Sequence, residues 1–314
     1  MVNKIIGFDY SHNNKLTIEN NAFTDFIQYL FDSDFKLGKI EAGITYEKLK
    51  KYDLFILGVP HLGPDLDADE IKDLVKYIKD GGSILAINDG GGDFENKNNL
   101  SELTKNFGIS FNADRLYDNK FFTKKNSHPI IQDFGSHFIT RDINKIIHSN
   151  GCTIDLDKSY EDEEIDINSI AYSSKNTSWH SYFNGDGWHD ESRQHLPILG
   201  VSHYELGKVV AIGNLSIFSS LNKSYGINAA DNFKLVTNII SWLLNKAGSK
   251  EEQALKPILT TVAIDQDLFY WIKEMVNQGK WKSLEEVINF ALKVTKIRLK
   301  EAEKEKEGSQ DDEN

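Results

Sequence analysis

Cysteine is almost absent from this sequence, because only Cys152 among the 314 residues carries a thiol. A single cysteine excludes an internal disulfide and any zinc site built from several thiolates. It also fits a reducing compartment. The fold must therefore be held together by apolar packing, and a hydrophobic content of 39% is sufficient for a substantial core.

Positive charge is also scarce, since 36 Lys and Arg stand against 48 Asp and Glu, which gives a net charge of -12. Such an acidic chain is not expected to bind nucleic acid non-specifically over its whole surface. Long apolar runs are missing as well: no stretch has membrane-spanning length, and the opening MVNKIIGFDY has no signal-peptide hydrophobic region. We therefore expect a cytoplasmic protein without membrane insertion.

The block from Glu70 to Asp93, EIKDLVKYIKDGGSILAINDGGGD, shows how the first part of the chain is organised. Its apolar residues first recur at helical spacing, and Gly81-Gly82 ends that helix. The apolar run 83–87 then has the length of a strand and ends at Asn88, Asp89 and three glycines. A helix, a glycine pair, a buried strand and a glycine-rich exit are typical of an α/β sheet.

The same alternation extends over roughly the first 110 residues. Apolar runs predict further strands at 4–8, 35–42 and 54–59, with amphipathic helices between them. This order predicts a doubly wound, mostly parallel sheet. In such sheets ligands bind beyond the carboxyl ends of the strands. The polar residues predicted at those ends are our candidate ligand-binding residues: Asp9, His12, His61, Asn88, Asp89 and Asn214.

The pattern loosens after residue 112. Up to residue 166 we predict only two strands, near Phe138 and Cys152. Residues 177–196 have no clear period and are predicted to form a long loop, whose Trp179-His180 and Trp188-His189 pairs could line a pocket or fold back on the core. The runs 198–203 and 208–212 predict a hairpin, and a closing helix with Asn228 as its N-cap completes a domain of residues 1–247.

A small unit is predicted after a linker at 248–257. A strand at 258–264 precedes two amphipathic helices, and the second opens with the capping box SLEE at 283–286. Residues 258–301 are too few for an independent core, and no cysteine is available for zinc. We predict that this unit dimerises the chain through Thr260, Val262, Ile264 and Ile288, and that the acidic tail 302–314 is disordered.

Several blocks spread over residues 3–246 carry a resemblance to one family. They are FDYSH at 8–12, the helix, Gly81-Gly82, strand and Asp89 block, GKVVAIG at 207–213, Asp231-Asn232 and Trp242-Leu243. Together they resemble the GIFT-type branch of the class I glutamine amidotransferase-like fold. That branch includes the N-terminal domain of an intraflagellar-transport subunit and gliding-motility ABC-transporter accessory proteins. The resemblance implies a flavodoxin-like sheet and, mostly, binding or scaffolding roles.

Residues 258–300 resemble a ribbon-helix-helix domain, through the order strand, helix, GKWKS at 279–283, helix. Such domains form intertwined dimers through the strand, and most bind DNA with it. The outward-facing strand residues would be Leu259, Thr261 and Ala263, which offer no bidentate contact to a base. The resemblance therefore implies a homodimer, and we expect weak or no DNA binding, limited to Lys280 and Lys282.

The catalytic groups of an amidotransferase are missing. The enzyme needs a nucleophilic cysteine at the turn after the central strand and a histidine to deprotonate it. That turn reads Asn88-Asp89-Gly90 here, and no His-x-Glu pair follows residue 212. We therefore predict no catalytic residue, no cofactor, and a non-catalytic module that binds a protein partner or a small-molecule ligand.

Two alternatives remain open. Imidazole and carboxylate bind divalent metals, so Asp9, His12 and Asp89 could serve a hydrolase or a metal-dependent enzyme. The structural interpretation of the same residues is that Asp9 and Asp89 cap loops and helix starts and that His12 satisfies buried backbone groups. A ligand-sensing DNA-binding regulator is the third possibility, because the second unit resembles a DNA-binding domain.

Overall fold

The structure, a computed structural model, describes residues 4–160, 165–245 and 264–281, together with residues 283, 284, 286–288, 290–292, 294 and 295. The chain divides into two compact units, Met1–Pro257 and Ile258–Asn314. The predicted linker 248–257, the acidic tail 302–314, and the predicted interface residues Thr260 and Val262 lie outside the described residues.

An eight-stranded mixed sheet forms the centre of the first unit. Its strands in spatial order are β2 (Lys36–Ile40), β1 (Ile5–Asp9), β3 (Leu54–Gly58), β4 (Ser83–Ile87), β15 (Gly207–Ile212), β14 (Pro197–Tyr204), β11 (Ile165–Tyr172) and β8 (Asp133–Phe134). The first five strands in this order pair in parallel with one another. From β15 onward, each pair of neighbours is antiparallel. The predicted hairpin at 198–212 is confirmed.

Helices cover both faces of the sheet. The helices are α1 (Thr24–Asp32), α2 (Tyr46–Leu49), α3 (Ala68–Lys79), α4 (Gly92–Asn96), α5 (Leu100–Thr104) and α6 (Asn232–Leu244). Alternate strand residues pack with α1 and α6 in one apolar cluster and with α3 and α5 in another. The predicted doubly wound, flavodoxin-like architecture is therefore confirmed.

The sequence explains where α3 begins and ends. The Asp67 side chain accepts hydrogen bonds from the backbone N–H groups of Asp69 and Glu70, and the Glu70 carboxylate accepts one from the Asp67 N–H. This capping box satisfies N–H groups that have no partner within the helix. At the other end Gly81 has a φ of 99°, which only glycine adopts readily.

Three smaller sheets surround the central one. Strand β5 (Ile109–Phe111) pairs with β10 (Ile154–Leu156), and β7 (Ile130–Ile131) pairs with β9 (Ile146–Ile147). The third sheet has three antiparallel strands, β13 (Trp188–Glu191), β12 (Ser178–Phe183) and β6 (Asp114–Asp118), in that order. It lies in the part of the chain where the sequence pattern had loosened.

The prediction of a long loop at 177–196 is wrong, because β12 and β13 occupy half of it. The inward positions of β12 are polar: Ser178 and His180 are buried, whereas Trp179 between them is half-buried. Both find buried partners, since Ser178 Oγ lies 2.9 Å from Ser173 Oγ and His180 Nδ1 lies 2.7 Å from Asp114 Oδ2. The alternation is therefore present but does not follow hydrophobicity.

Three local predictions also need correction. Phe138 is buried in a turn, and the strand near Cys152 begins two residues later, at Ile154. Asp231, rather than Asn228, occupies the N-cap position of α6. Asn228 lies three residues before that position, and its side-chain amide donates a hydrogen bond to the Asp25 carboxylate instead.

The second unit contains the helix Gln266–Asn277. Gly279, two residues after its end, has a φ of 70°. The Ser283 hydroxyl accepts a hydrogen bond from the Glu286 N–H at 3.1 Å, as the predicted capping box requires. Ile264 and Ile288, the described members of the predicted interface, are half-buried. Only Ile272 and Val287 are buried among the residues described in this unit. Several large apolar side chains are exposed: Leu268, Phe269, Tyr270, Trp271, Leu284, Phe290 and Leu292.

Candidate binding site at the carboxyl end of the sheet

A buried ionic cluster follows β1. His12 Nδ1 lies 2.8 Å from Asp9 Oδ2, and His12 Nε2 lies 3.0 Å from Glu70 Oε2. All three side chains are buried. Burial alone would lower the pKa of His12, but hydrogen bonds to, and charges on, Asp9 and Glu70 together raise it. His12 is therefore held between two carboxylates as an imidazolium.

The two carboxylates of this cluster are saturated as well. Asp9 accepts hydrogen bonds from the Ser11 N–H at 2.8 Å and the Asn14 amide at 2.7 Å. Glu70 accepts from the Ile44 N–H at 2.7 Å, in addition to capping α3. Both ring nitrogens of His12 are already engaged. The cluster thus joins the segments after β1 and β2 to the start of α3, and it leaves no free ring nitrogen for a ligand.

A polar cavity of about 450 Å³ lies beyond the carboxyl ends of β1, β3 and β4. Its lining residues are Lys15, His61, Asp89, Gly90, Glu95, Asn96, Arg115 and Asn150. The chain passes from β1 to β2 on one side of β1 and then returns to β3 on the other side. The cavity therefore lies at a topological switch point, where doubly wound sheets bind their ligands.

A strained turn positions His61 in this cavity. Val59, directly after β3, has a φ of 62°, which is unfavourable for a β-branched residue. Its N–H donates to the Ile87 carbonyl, and its carbonyl accepts from the Lys15 N–H, both at 3.0 Å. These bonds hold the strained conformation and bring the loops after β1 and β3 together. Strain of this kind is concentrated at functional sites.

Opposite charges face the cavity. Lys15 Nζ donates to the Asn96 side-chain oxygen at 2.7 Å, and the Arg115 guanidinium forms an ion pair with Glu95. Burial raises the pKa of Asp89 to about 6, although Lys15, Arg115 and two backbone N–H groups act to lower it. Burial and the nearby Lys15 charge lower the pKa of His61, which is therefore neutral at pH 7.

Buried polar atoms without a hydrogen-bond partner are concentrated around this end of the sheet. Among the described residues they include His61 Nδ1 and Arg115 Nε, which belong to lining residues, and Asn14 Oδ1 and Asn214 Nδ2, which belong to residues after β1 and β15. Native proteins satisfy the large majority of such atoms, and exceptions mark a bound water, an ion or a functional group. This end of the sheet has the donors and acceptors of a binding site.

The predicted residues are thus divided between several environments. His61 and Asp89 share the cavity, whereas Asp9 and His12 belong to the saturated cluster. Asn88 donates to Asp93 at 2.7 Å beneath the cavity, and Asn214 is fully buried, with its side-chain oxygen accepting from Ser216 Oγ at 2.7 Å. The sequence reasoning missed five of the lining side chains, Lys15, Glu95, Asn96, Arg115 and Asn150.

Cys152 is not part of the turn after β4 and is fully buried. Burial, reinforced by nearby Asp114 and Asp89, raises the pKa of its thiol, so it stays protonated. At the turn itself, a Cβ on Gly90 would lie 2.2 Å from the Asn150 carbonyl oxygen. The site therefore carries a carboxylate in a crowded turn and no thiolate. Among the described residues, no group of three His, Cys, Asp or Glu side chains is arranged to hold a metal ion.

An aromatic face borders the cavity on the three-stranded sheet. Cross-strand partners Tyr117 and Trp179 stack with their ring centroids 4.2 Å apart, and Phe183 stacks on Phe94 at 3.9 Å. The Trp188 ring lies 5.9 Å from Phe183, tilted by 56°. Phe94 and Trp188 are each 40% exposed. Exposed apolar groups gathered in this way are typical of interaction surfaces.

We expect Asp89→Asn to stabilise the protein at pH 8 by about 1–2 kcal/mol, because it removes a half-buried charge whose pKa is raised to about 6. The neutral form of Asp89 favours the folded state, so wild-type stability should fall as the pH rises from about 4 to about 6. The variant should lose less stability over this range, and the loss that remains comes from Asp93, whose pKa burial also raises to about 6. Urea unfolding at pH 5 and pH 8 measures both effects. Asp65→Asn, at an exposed position, is the control, and destabilisation by Asp89→Asn at pH 8 would contradict the prediction.

Comparison with known proteins identifies a family and a fold. The family model of the IFT52 GIFT domain matches residues 5–174. The solved structure titled mmIFT52 N-terminal domain is 21% identical, with a TM-score of 0.62, and the match covers 76% of this chain and 97% of that one. Cytoplasmic protein STM1381 from Salmonella typhimurium LT2 is 11% identical, with a TM-score of 0.50 and coverages of 76% and 99%.

A ThuA-like protein from Bacteroides uniformis is 13% identical, with a TM-score of 0.47 and coverages of 77% and 91%. No curated protein matched the sequence. The GIFT-type resemblance and the α/β fold that the sequence predicted for the first unit are thus confirmed. Within the described residues, every helix is too short or too polar to cross a bilayer.

Proposed function

The chain belongs to the IFT52 GIFT domain family, and on that premise we propose that it is a non-catalytic binding and scaffold module. The observation that carries the proposal is the site after β4. There Asp89 stands in a polar cavity where an amidotransferase would place its nucleophilic cysteine. The cavity retains unpartnered polar atoms, which favour binding, but it contains no thiolate.

The energetics of Asp89 also support binding. A carboxylate whose pKa is raised by burial destabilises the folded protein at neutral pH, and residues of this kind are retained where function requires them. His61 Nδ1 and Arg115 Nε are buried without a partner in the same cavity. A bound ligand would satisfy both nitrogens.

The scaffold part of the proposal rests on the aromatic face. Its stacked rings are held in place before any partner arrives, so little side-chain entropy would be lost on association. Trp and Tyr are also the residues that contribute most to protein interfaces. We propose a cytoplasmic protein as the partner at this face, because the family is named after the IFT52 subunit, a component of a protein complex.

Dimerisation by the second unit is a further part of the proposal. Its described residues bury two apolar side chains and expose seven large ones, which is too small a core for stability alone. A second copy would cover this apolar surface, with residues 258–264 as the seam. Because Lys280 is exposed, weak electrostatic contact with DNA remains our expectation for this unit.

An enzyme using Asp9, His12 and Asp89 is the alternative, and the geometry favours it less. His12 already binds two carboxylates, while Asp89 lies in the separate cavity beside Lys15. A general base needs a free lone pair directed toward the substrate, and a metal ligand needs one directed toward the metal. Both ring nitrogens of His12 are already bonded to carboxylates. The regulator alternative shares the same cavity and differs only in the role of the second unit.

We expect no ammonia release above background when the full-length protein is incubated with glutamine, because no thiolate is present at the site. Cys152→Ala should behave like the wild type. Ammonia release that depends on Cys152 would overturn the non-catalytic proposal. Release that survives Cys152→Ala but is lost in Asp89→Asn would favour the hydrolase alternative.

A further inference from the structure

We propose that the cavity beyond β1, β3 and β4 binds a small oxyanion that also carries a hydrogen-bond donor, such as a hydroxycarboxylate or a phosphate with a protonated oxygen. This inference rests on the proposed binding function and names the ligand class of that same cavity. It follows from which lining atoms lack partners and from what each of those atoms can accept or donate.

The cations of the cavity call for an oxyanion. Arg115 uses its terminal nitrogen on Glu95, but its Nε–H has no acceptor. Lys15 Nζ is bonded to the neutral Asn96 amide, and among the described residues no carboxylate lies within ion-pair distance of it. Charge-assisted hydrogen bonds from such groups to an oxyanion are stronger than neutral ones. An anion could accept from Lys15 and from Arg115 Nε without displacing Glu95.

The unpartnered ring nitrogen of His61 requires a hydrogen-bond donor on the same ligand. The hydrogen bond of His61 to the Asn96 backbone favours protonation, so one ring nitrogen donates to that backbone. The nitrogen without a partner is Nδ1, and the ring is neutral at pH 7. Nδ1 is therefore a buried lone pair, which only an O–H or N–H group can satisfy. An anion without a proton would leave it unpaired, and an unpaired buried group is costly.

These two requirements select between ligands of equal size. Hydrogen phosphate and sulfate are both tetrahedral oxyanions, but only the phosphate carries an O–H. Glycolate and acetate differ by one hydroxyl in the same way. A cavity of about 450 Å³ lies within the roughly 300–1,000 Å³ range of small-molecule sites, so the head group could carry a larger body.

Charge adds a pH dependence to this selectivity. Asp89 shares the cavity with Lys15 from the segment after β1, His61 after β3, Arg115 from β6 and Glu95 on α4, with buried Cys152 nearby. Asp93, also on α4, bonds Asn88 outside the cavity lining, and burial raises its pKa to about 6 as well. An incoming anion is attracted by the two cations and repelled by Asp89 and Glu95. Protonation of Asp89 removes one repulsion, so anion binding should strengthen as the pH falls from 8 toward 6.

The test is calorimetric titration of the full-length protein with sodium phosphate, sulfate, glycolate and acetate at pH 8 and pH 6. We expect phosphate to bind at least tenfold more tightly than sulfate at pH 8, or glycolate at least tenfold more tightly than acetate. The preferred pair identifies the head group. Lys15→Met and Arg115→Met should each lower the affinity for the preferred anion at least tenfold. Lys72→Met, on the exposed side of α3, should not.

His61→Ala separates the donor requirement from simple attraction of charge. It should abolish the preference for phosphate over sulfate, or for glycolate over acetate, while binding of the weaker anion stays within about twofold. Equal binding of the paired anions to the wild type would overturn the donor requirement, and no binding of any of the four at 10 mM would overturn the anion site. Either result leaves the non-catalytic proposal standing, because the ammonia assay tests that separately. Lys15→Met and the anion pairs remain informative if Arg115→Met does not fold.

Discussion

Replacing His12 with alanine should destabilise the first unit by about 3 kcal/mol or more, the range for breaking a buried ion pair. The substitution would leave the buried carboxylates of Asp9 and Glu70 without the imidazolium that lies 2.8 Å and 3.0 Å from them. Urea unfolding followed by fluorescence measures the loss. His189→Ala, an exposed histidine, should change stability by less than about 0.5 kcal/mol. A loss below about 1 kcal/mol for His12→Ala would show that the two carboxylates do not need the imidazolium.

The same pair of proteins yields a pH dependence with a defined sign. The pKa of His12 in the folded protein lies above the value of about 6.5 for an unfolded chain. Its contribution to stability is therefore complete below about pH 6.5 and is lost as the pH rises through the raised folded value. The stability difference between wild type and His12→Ala should decrease between pH 6 and pH 9. A constant difference would mean that His12 is held by packing and neutral hydrogen bonds.

Ending the chain at residue 247 should convert a dimer into a monomer. The first unit has two apolar clusters of its own and should remain folded, whereas the exposed apolar side chains of the second unit need a partner. Light scattering after size exclusion measures the mass of each form. A chain ending at residue 301 lacks only the acidic tail and should stay dimeric.

Two outcomes would contradict this expectation. If the full-length protein were monomeric, the second unit would have to cover its apolar residues within its own chain. If the chain ending at 247 stayed equally dimeric, the interface would lie on the first unit. In the expected case, Val262→Pro should reproduce the monomer in the full-length protein, since proline removes a backbone N–H that a strand pair would use.

How much could be predicted from the sequence differs between the two halves of the first unit. Strands β3 and β4 are buried on both faces and therefore appear as continuous apolar runs, which is why their bounds were predicted almost to the residue. Strand β12 was missed because its inward residues, Ser178 and His180, are polar. His180 is satisfied by Asp114, 66 residues earlier in the chain, and Ser178 by Ser173, five residues earlier. Periodicity of hydrophobicity carries no information about such a strand.

The candidate site shows the same limit. His61 and Asp89 were found because each follows a predicted strand, and strand ends meet at one edge of the sheet. Arg115 lies within β6, and no pattern in the sequence connects it to that edge. Glu70 opens α3, and helical spacing gives no indication that its carboxylate is buried against His12. A single sequence shows which residues follow a strand but not which distant side chains fold over it.

The position of β15 has a consequence for how the chain acquires its structure. Strand β15 lies between β4 and β14, and its residues Val209 and Val210 pair with Ile84 and Leu85. More than a hundred residues must therefore leave the ribosome after β4 before that apolar strand gains its second neighbour. During this interval β4 has an open edge, the kind of surface that templates pairing between chains. Contacts so distant in sequence also form slowly. The stretch 5–174 that matches the family model ends before β14, β15 and α6, so it lacks two strands of the central sheet, including the one that closes the edge of β4.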